Sequence, residues 1–290
     1  PDATFLKLGF SHPLPKKLVR EFASMVDEII VVEELDPFFE EQLLAMHLDV
    51  PVRGKDIFGL LGELGTEIIR EKVLGQKVEP IEVREGIPGR PPVMCPGCSH
   101  RGVFHTLKKL KLNVMGDIGC YTLGALPPLQ SIDSCVCMGA SIGMALGMAR
   151  ANPQSAEKTV AVIGDSTFLH SGITPLLDAV YNEAPITVMI LDNSTTAMTG
   201  HQEHPGTGST LQGDPASAVN LEGLCTSLGV KRVQSVDAFD LKELRSTIKG
   251  ELEAKEPSGV IVRRPCVFLI TEFDQPYWVD EELCTACEAC

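Results

Sequence analysis

An α/β fold built on a parallel sheet is what this sequence predicts, and three observations carry the prediction. First, a short apolar, β-branched run at residues 159–163 (TVAVI) is followed by Gly164-Asp165-Ser166, a helical stretch at 173–183, and a second apolar run at 186–191 ending in Asp192-Asn193. Two such runs joined by a helical crossover make a βαβ unit with parallel strands and a right-handed connection. Second, apolar runs and helix-period segments go on alternating through residues 93–275. Third, the chain has 290 residues, 44% of them hydrophobic and 22% charged, which suits one large domain plus pieces of others.

Taken in order, residues 3–8 read as a strand, followed by a helix with Leu18, Phe22 and Met25 on one face and Pro15 near its start. A strand at 28–33 and a helix at 38–46 complete a portion (1–50) too short for a whole α/β domain. Residues 51–92 carry repeated Gly and Pro breakers around one helix at 66–73 and read as an interdomain connection. The main domain (93–275) opens on Cys95-Pro-Gly-Cys98 at the mouth of a helix, then a strand at 113–117 and the turn GDIGCYTLG. In the helix at 138–150, Gly139, Gly143 and Gly147 bare one face for close packing against a soluble helix or a cofactor, at a propensity cost of about 1 kcal/mol per glycine. In the central βαβ unit, Leu176, Leu177, Val180 and Tyr181 are expected on the buried helix face, and Ala184-Pro185 stops that helix. A helix at 219–228, a strand at 231–236, a helix at 241–254 and a strand at 260–264 finish the sheet.

Bulk properties exclude some functions. No run of about twenty apolar residues exists, which argues against a transmembrane helix. The net charge of −14 argues against nucleic acid, while leaving room for a phosphate held through a cation. The amino terminus, PDATFLKLGF, has neither an initiator methionine nor a signal-peptide layout, so a cytoplasmic location is expected. Ten cysteines, spaced Cys95-x-x-Cys98 and Cys284-x-x-Cys287-x-x-Cys290, point in an α/β chain to metal or iron–sulfur binding before disulfides.

The chemistry follows from the strand ends. Asp165 and Asn193 fall just past the carboxyl ends of parallel strands, where open α/β sheets bind ligands. Their hard oxygen donors, with a backbone carbonyl at Thr195, suit Mg²⁺, which completes its shell with water and substrate phosphates. The start of the helix at 173 offers free N–H groups to a phosphate. The loop after Asn193, TTAMTGHQEHPGTGSTLQGDP, has the composition of a mobile lid. His201 and His204 within it, and His100 and His170 nearer the motif, are candidates to meet substrate. From the residues alone, Cys95 and Cys98 are compatible with zinc, a cluster or no metal. Cys135 and Cys137 compete for a ligand place, and Cys225 reads as core.

The motif Gly164-Asp165-Ser166, a 26-residue crossover (167–192) and Asn193 resembles the thiamine-diphosphate signature, with Ser166 where most such enzymes carry glycine. The surrounding words GDSTFLHSGITPLLDAVYN and ILDNSTTAMTGHQEHPGTG look like the large subunit of the indolepyruvate:ferredoxin oxidoreductase family. That resemblance implies a three-layer thiamine-diphosphate-binding fold over 93–275. Before it stands the end of a transketolase-C-like domain (1–50), and after it a truncated ferredoxin-like start (276–290), the chain being a piece of a longer subunit. It implies thiamine diphosphate, Mg²⁺ on Asp165, Asn193 and Thr195, and cofactor contacts from Gly119, Cys120, Tyr121, Met138, Gly139, Gly164, Ser166 and Met198. It implies [4Fe–4S] clusters, one on Cys95, Cys98, Cys120 and Cys266, another begun by Cys284, Cys287 and Cys290.

The implied activity is oxidative decarboxylation of an arylpyruvate to an aryl-acetyl-CoA. Its implied partners are a smaller β-type subunit, a second copy, ferredoxin and coenzyme A. The glutamate that activates thiamine belongs to a different domain, which no stretch here resembles. A pyruvate- or 2-oxoglutarate-type oxidoreductase, a non-redox thiamine decarboxylase or acetolactate-synthase-like enzyme, and a non-catalytic iron–sulfur or metal-binding electron-transfer module are the competing readings. The terminal cysteine motif speaks against the second of these.

Overall fold

The computed structural model describes residues 3–79, 86–272, 275 and 278–286. The chain divides into two compact units, 1–89 and 90–290.

In the first unit, α1 (Lys16–Ala23), β1 (Ile29–Ile30), α2 (Phe38–Leu44) and β2 (Val52–Arg53) surround a small core of Leu14, Val19, Ala23, Ile29, Leu43 and Met46. Strands β1 and β2 pair in parallel, so the stretch after residue 50 joins the strand before it. Two short helices follow, α3 (Lys55–Phe58) and α4 (Thr66–Leu74). Two expectations fail here. Residues 3–8 form no strand: they find no partner, and Phe5 is 87% exposed. In α1 the buried face is Val19 and Ala23, with Phe22 packed beside them, while Leu18 and Met25 are exposed.

The second unit is a five-stranded parallel sheet in the order β3-β4-β5-β7-β6, formed by β3 (Asn113–Met115), β4 (Thr159–Gly164), β5 (Thr187–Asp192), β6 (Arg232–Asp237) and β7 (Ser258–Arg263). Strands β4, β5 and β7 are central and buried almost throughout, which is why their sequences are continuous apolar runs rather than alternations. Pleating sends Val160, Val162, Met189, Leu191, Val260 and Val262 to one side, against α5 (Ser99–Leu110) and α11 (Leu241–Ala254). Ala161, Ile163, Val188, Ile190 and Ile261 face the other side, against α6 (Ala140–Ala151), α9 (Ile173–Tyr181) and α10 (Leu221–Ser227). Helix, sheet and helix make the three layers expected. Two short turns, α7 (Pro153–Ala156) and α8 (Asp165–Thr167), lie before and after β4.

Helix α9 departs from the expected pattern. The chain turns helical at Asp165 and passes through one wide π turn, Phe168–Gly172, before α9 begins. Gly172 is itself helical, so no fresh helix start, with its free N–H groups, exists at residue 173. The wide turn also resets the buried face to Phe168, Gly172, Leu176 and Ala179, leaving Leu177 and Tyr181 pointing outward. In α6 the packed side is Ile142, Ala145 and Ala149. A Cβ added at Gly143 or Gly147 would meet nothing within 4 Å, while one at Gly139 would strike Ser171, so of the bare face only its first glycine packs closely against the chain among the described residues.

Candidate functional site

Two tight turns, one leaving β4 and one leaving β5, form the floor of a cleft at the carboxyl edge of the sheet. The Asp165 carboxylate ties them together. Its Oδ1 accepts the Ser166 N–H at 2.8 Å, and its Oδ2 accepts the Ser194 N–H at 3.0 Å. A second cross-link runs from the Thr196 hydroxyl to the Ser166 hydroxyl at 2.9 Å. Ser194 adopts a left-handed conformation (φ 61°), unusual for a residue with a side chain, and this sharpens the turn between Asn193 and Thr195. Asp165, Asn193 and Thr195 are all buried. Burial raises the Asp165 carboxyl above its ordinary range, against the opposing pull of His204 and of the Ser166 N–H. A carboxylate so placed gains most from a bound cation, and the donor set of carboxylate, amide and carbonyl oxygens fits a hard divalent ion.

The facing wall comes from the turn after β3. Asp117 is fully buried and accepts the N–H groups of Ile118, Gly139 and Ser141, at 2.9, 2.9 and 3.1 Å. It thereby caps the start of α6 from outside the helix, where Gly139 takes the left-handed conformation (φ 87°). The Tyr121 hydroxyl donates to the Ile118 carbonyl at 3.0 Å, and its ring lies so close to Gly164 that a Cβ there would fall 2.8 Å from it. His100, from the first turn of α5, meets the Tyr121 ring edge-on at 5.8 Å. Burial alone lowers the His100 pKa to about 4, so the imidazole is neutral at pH 7. The cleft opens to solvent.

A second cleft, of about 640 Å³, lies behind that wall. Cys95, Cys98, Cys120 and Cys266 all line it, arriving from the loop before α5, the end of the β3 turn and the segment after β7. Burial pushes the Cys98 thiol up, and the neighbouring Cys95, Cys120 and Cys266 push the same way. Burial first, then Cys266 and Cys95, raise the Cys120 thiol. Among the described residues no three Cys, His, Asp or Glu side chains converge closely enough to share a single ion. The four thiols ring a cleft rather than point at one spot, an arrangement with room for a larger polynuclear group. Arg101 holds the Cys95 loop through its guanidinium, donating to the Cys95 carbonyl at 2.8 Å and to the Met94 carbonyl. Two backbone bonds, Arg264 N–H to Asp192 O at 3.0 Å and Cys266 N–H to Asn193 O at 2.9 Å, fasten the last cysteine to the turn after β5.

Most of the expected site residues come together. His100, Gly119, Cys120, Tyr121, Met138, Gly164, Asp165, Ser166, Asn193, Thr195 and Met198 line the first cleft. The helix start beside it is the turn at 165–167, whose Ser166 N–H is already taken by Asp165 Oδ1, and not residue 173. Four expected residues fall elsewhere, one of them His204, which is buried against Asp165 and lines neither cleft. His170 is exposed, with Nδ1 on the Ser171 hydroxyl, and lines neither cleft. His201 lies in the cysteine cleft, edge-on to Phe268 at 5.5 Å. Gly139 stands behind the wall, against Ser171. Cys135 and Cys137 are exposed and line neither cleft, and Cys225 is core, its thiol pushed up to about 12 by burial. Cys284 is exposed, and Cys287 and Cys290 lie outside the described residues.

The loop expected as a mobile lid is cross-braced: Thr196 and Gln202 exchange backbone bonds, as do Gly208 with Ala216 and Pro205 with Val219 in single bonds. Sequence reasoning missed Asp117 and Arg101. A signal for Asp117 was present, since Gly116-Asp117 after β3 repeats Gly164-Asp165 after β4.

Comparison with known proteins agrees with this geometry. Residues 117–262 match the family model described as thiamine pyrophosphate enzyme, C-terminal TPP binding domain. Indolepyruvate oxidoreductase subunit IorA of Methanothermobacter thermautotrophicus is 39% identical over 98% of this chain and 49% of its own length. The subunit of the same name from Pyrococcus horikoshii is 36% identical over 100% of this chain and 50% of its own length. The chain thus spans about half the length of the curated relatives it matches, and the resemblance read from its motifs is borne out. Among solved structures, the 2-oxoglutarate:ferredoxin oxidoreductase of Magnetococcus marinus superposes with a TM-score of 0.53 at 20% identity, covering 66% of this chain and 72% of its own, a likeness of fold. Every lining residue of the sheet-edge cleft except His100 falls within the span of the family model, and the chain belongs to the thiamine pyrophosphate enzymes and carries their C-terminal TPP-binding domain.

Proposed function

We propose that this chain is the cofactor-binding part of an indolepyruvate:ferredoxin oxidoreductase, which decarboxylates arylpyruvates oxidatively and forms aryl-acetyl-CoA. The observation that carries the reading is a shared wall. His100, Cys120, Asn193 and Ala197 line both the cofactor cleft and the cysteine cleft, so a redox centre in one would stand directly behind a cofactor in the other. A non-redox thiamine enzyme has no use for four thiols there.

In this reading Asp165, Asn193 and the Thr195 carbonyl would hold Mg²⁺, and the Asp165 and Thr167 N–H groups would be offered to the diphosphate. Thiamine diphosphate, when bound, supplies the carbanion stabilisation that 2-oxoacid decarboxylation needs. Cys95, Cys98, Cys120 and Cys266 hold a [4Fe–4S] cluster as thiolates, whose charge the iron compensates. His100 and Tyr121 keep the space between the clefts dry and uncharged. Met198 and Thr199, on the braced loop, border the cleft where a substrate would enter. Electrons leave to ferredoxin, and a smaller β-type subunit, a second copy of this subunit and coenzyme A complete the assembly, in the cytoplasm. Among the described residues no helix is long and apolar enough to cross a membrane.

The test is viologen or ferredoxin reduction by the full-length subunit, purified anaerobically with its partner, while indolepyruvate, pyruvate and 2-oxoglutarate are varied. Coenzyme A-dependent reduction with indolepyruvate preferred is expected. Preference for pyruvate or 2-oxoglutarate would overturn the substrate, and 2-oxoacid decarboxylation without electron transfer would overturn the redox reading. The chain of 290 residues by itself is expected to bind the cofactor weakly and to give no turnover.

A further inference from the structure

His204 sits behind the cofactor cleft, outside its lining, yet its side chain is buried against Asp165. Its Nδ1 accepts the Gly206 N–H at 3.1 Å, which places the ring proton of the neutral imidazole on Nε2. That Nε2 lies 3.2 Å from Asp165 Oδ2, but off the axis of a hydrogen bond, and is otherwise a buried polar atom without a partner. Such an orphan is costly unless it serves a neighbour, and Asp165 is the neighbour it faces. The loop is built to put it there. The His204 carbonyl accepts both the Thr207 N–H, at 3.0 Å, and the Thr207 hydroxyl, at 2.9 Å. A Cβ on Gly206 would come within 3.0 Å of the ring, so a glycine lets that N–H approach.

We propose that His204 is a positioning residue for the divalent cation: its Nε2–H occupies Asp165 Oδ2 and so commits Oδ1 to the metal. This rests on the reading of Asp165 as a Mg²⁺ ligand. A carboxylate offers about four lone-pair sites. The Ser194 N–H takes one of Oδ2 and the Ser166 N–H one of Oδ1, and in this proposal the His204 Nε2–H, 3.2 Å from Oδ2, turns onto the second site of that oxygen. One site is left, on Oδ1. The ion is therefore held through one oxygen of Asp165 rather than chelated by both, as suits an octahedral ion that keeps its waters and takes phosphate oxygens. Because His204 belongs to the loop that also carries Met198 into the cleft, the metal ligand and the substrate-facing loop are oriented by one contact.

Groups that hydrogen-bond a ligating side chain are typically worth 10–100-fold in metal affinity. The measurement is Mn²⁺ binding to the full-length subunit with excess thiamine diphosphate, read as the loss of the free-ion electron paramagnetic resonance signal. His204→Leu fills the space without a donor and should raise the Mn²⁺ Kd about tenfold or more. His204→Gln, which returns an N–H at nearly the same reach, should recover most of that loss. Wild-type affinity in His204→Leu, or equal loss in the Leu and Gln variants, overturns the proposal. Should His204→Leu fail to fold, Gly206→Ala crowds the ring from its Nδ1 side and should weaken Mn²⁺ by several-fold, and an unchanged Kd there overturns it equally. Failure of the wild-type subunit to bind Mn²⁺ is a different result, one that removes the metal reading of Asp165 itself.

Discussion

Asp165 and His100 are both buried, and burial moves each toward its uncharged form, yet they are set for opposite tasks. Asp165 accepts N–H groups from two turns and keeps a free lone pair toward the cleft, so a cation can restore the charge that burial opposes. Asp165→Ala should weaken Mg²⁺-dependent thiamine diphosphate binding by roughly 100-fold or more, measured by calorimetry on the full-length subunit. Unchanged affinity would remove Asp165 from the metal site. His100 meets the Tyr121 ring edge-on and lines both clefts, and its lowered pKa carries a stability consequence. Above pH 6.5 the imidazole is neutral in both folded and unfolded chains and contributes no pH dependence. As pH falls from 6.5 toward 4, the unfolded chain takes up a proton that the folded one refuses, and stability is lost. The loss is on the order of 3 kcal/mol across that window. Urea unfolding of the cluster-free chain at several pH values should show it, and His100→Gln should flatten the dependence. Parallel profiles for the two proteins would contradict the assignment.

At the scale of elements, the strands were legible and the helix faces were less so. Central strands β4, β5 and β7 are covered on both sides, so apolar content alone marks them. Residues 3–8 show the limit of that logic, since a β-like sequence makes no strand where none pairs with it. Helix faces depend on where the helix begins. The start at Asp165 and the wide turn at Phe168–Gly172 rotate α9 away from the face that its own periodicity suggests, and no local pattern announces such a turn. Helix α6 shows how an element can be fixed from outside. Its first N–H groups end on Asp117, a residue more than twenty positions earlier, so the cap is invisible to any rule based on neighbours in sequence. Asp117→Ala would leave three N–H groups without an acceptor, that of Ser141 buried and those of Ile118 and Gly139 partly buried, and should cost about 3 kcal/mol in chemical denaturation. A loss below about 1 kcal/mol would show that α6 does not lean on this cap.

Across the whole molecule, the cofactor cleft could be read from the chain because its parts belong to one βαβ unit and to the turn after the adjacent strand. The cysteine cleft could not be read from spacing, for Cys95, Cys120 and Cys266 are separated by entire elements and only the fold closes the ring. Resemblance to a family supplied that set, and the structure gathers it. His204 was singled out as a substrate-facing loop histidine, and nothing in its neighbourhood signals that it would turn inward onto Asp165. The bonds that join Arg264 to Asp192 and Cys266 to Asn193 continue the pairing of β7 with β5 beyond the last paired residues, Asp192 and Arg263. The spacing between the two clefts is thus written in the register of two central strands, and strand register shifts in steps rather than by degrees, since a one-residue slip would turn every side chain to the opposite face. Under the proposed redox reading, loops at the rim could then be rebuilt for one 2-oxoacid or another while the gap an electron would cross stays as it was. Substrate preference and electron-transfer distance would then be separately inherited traits of the same sheet.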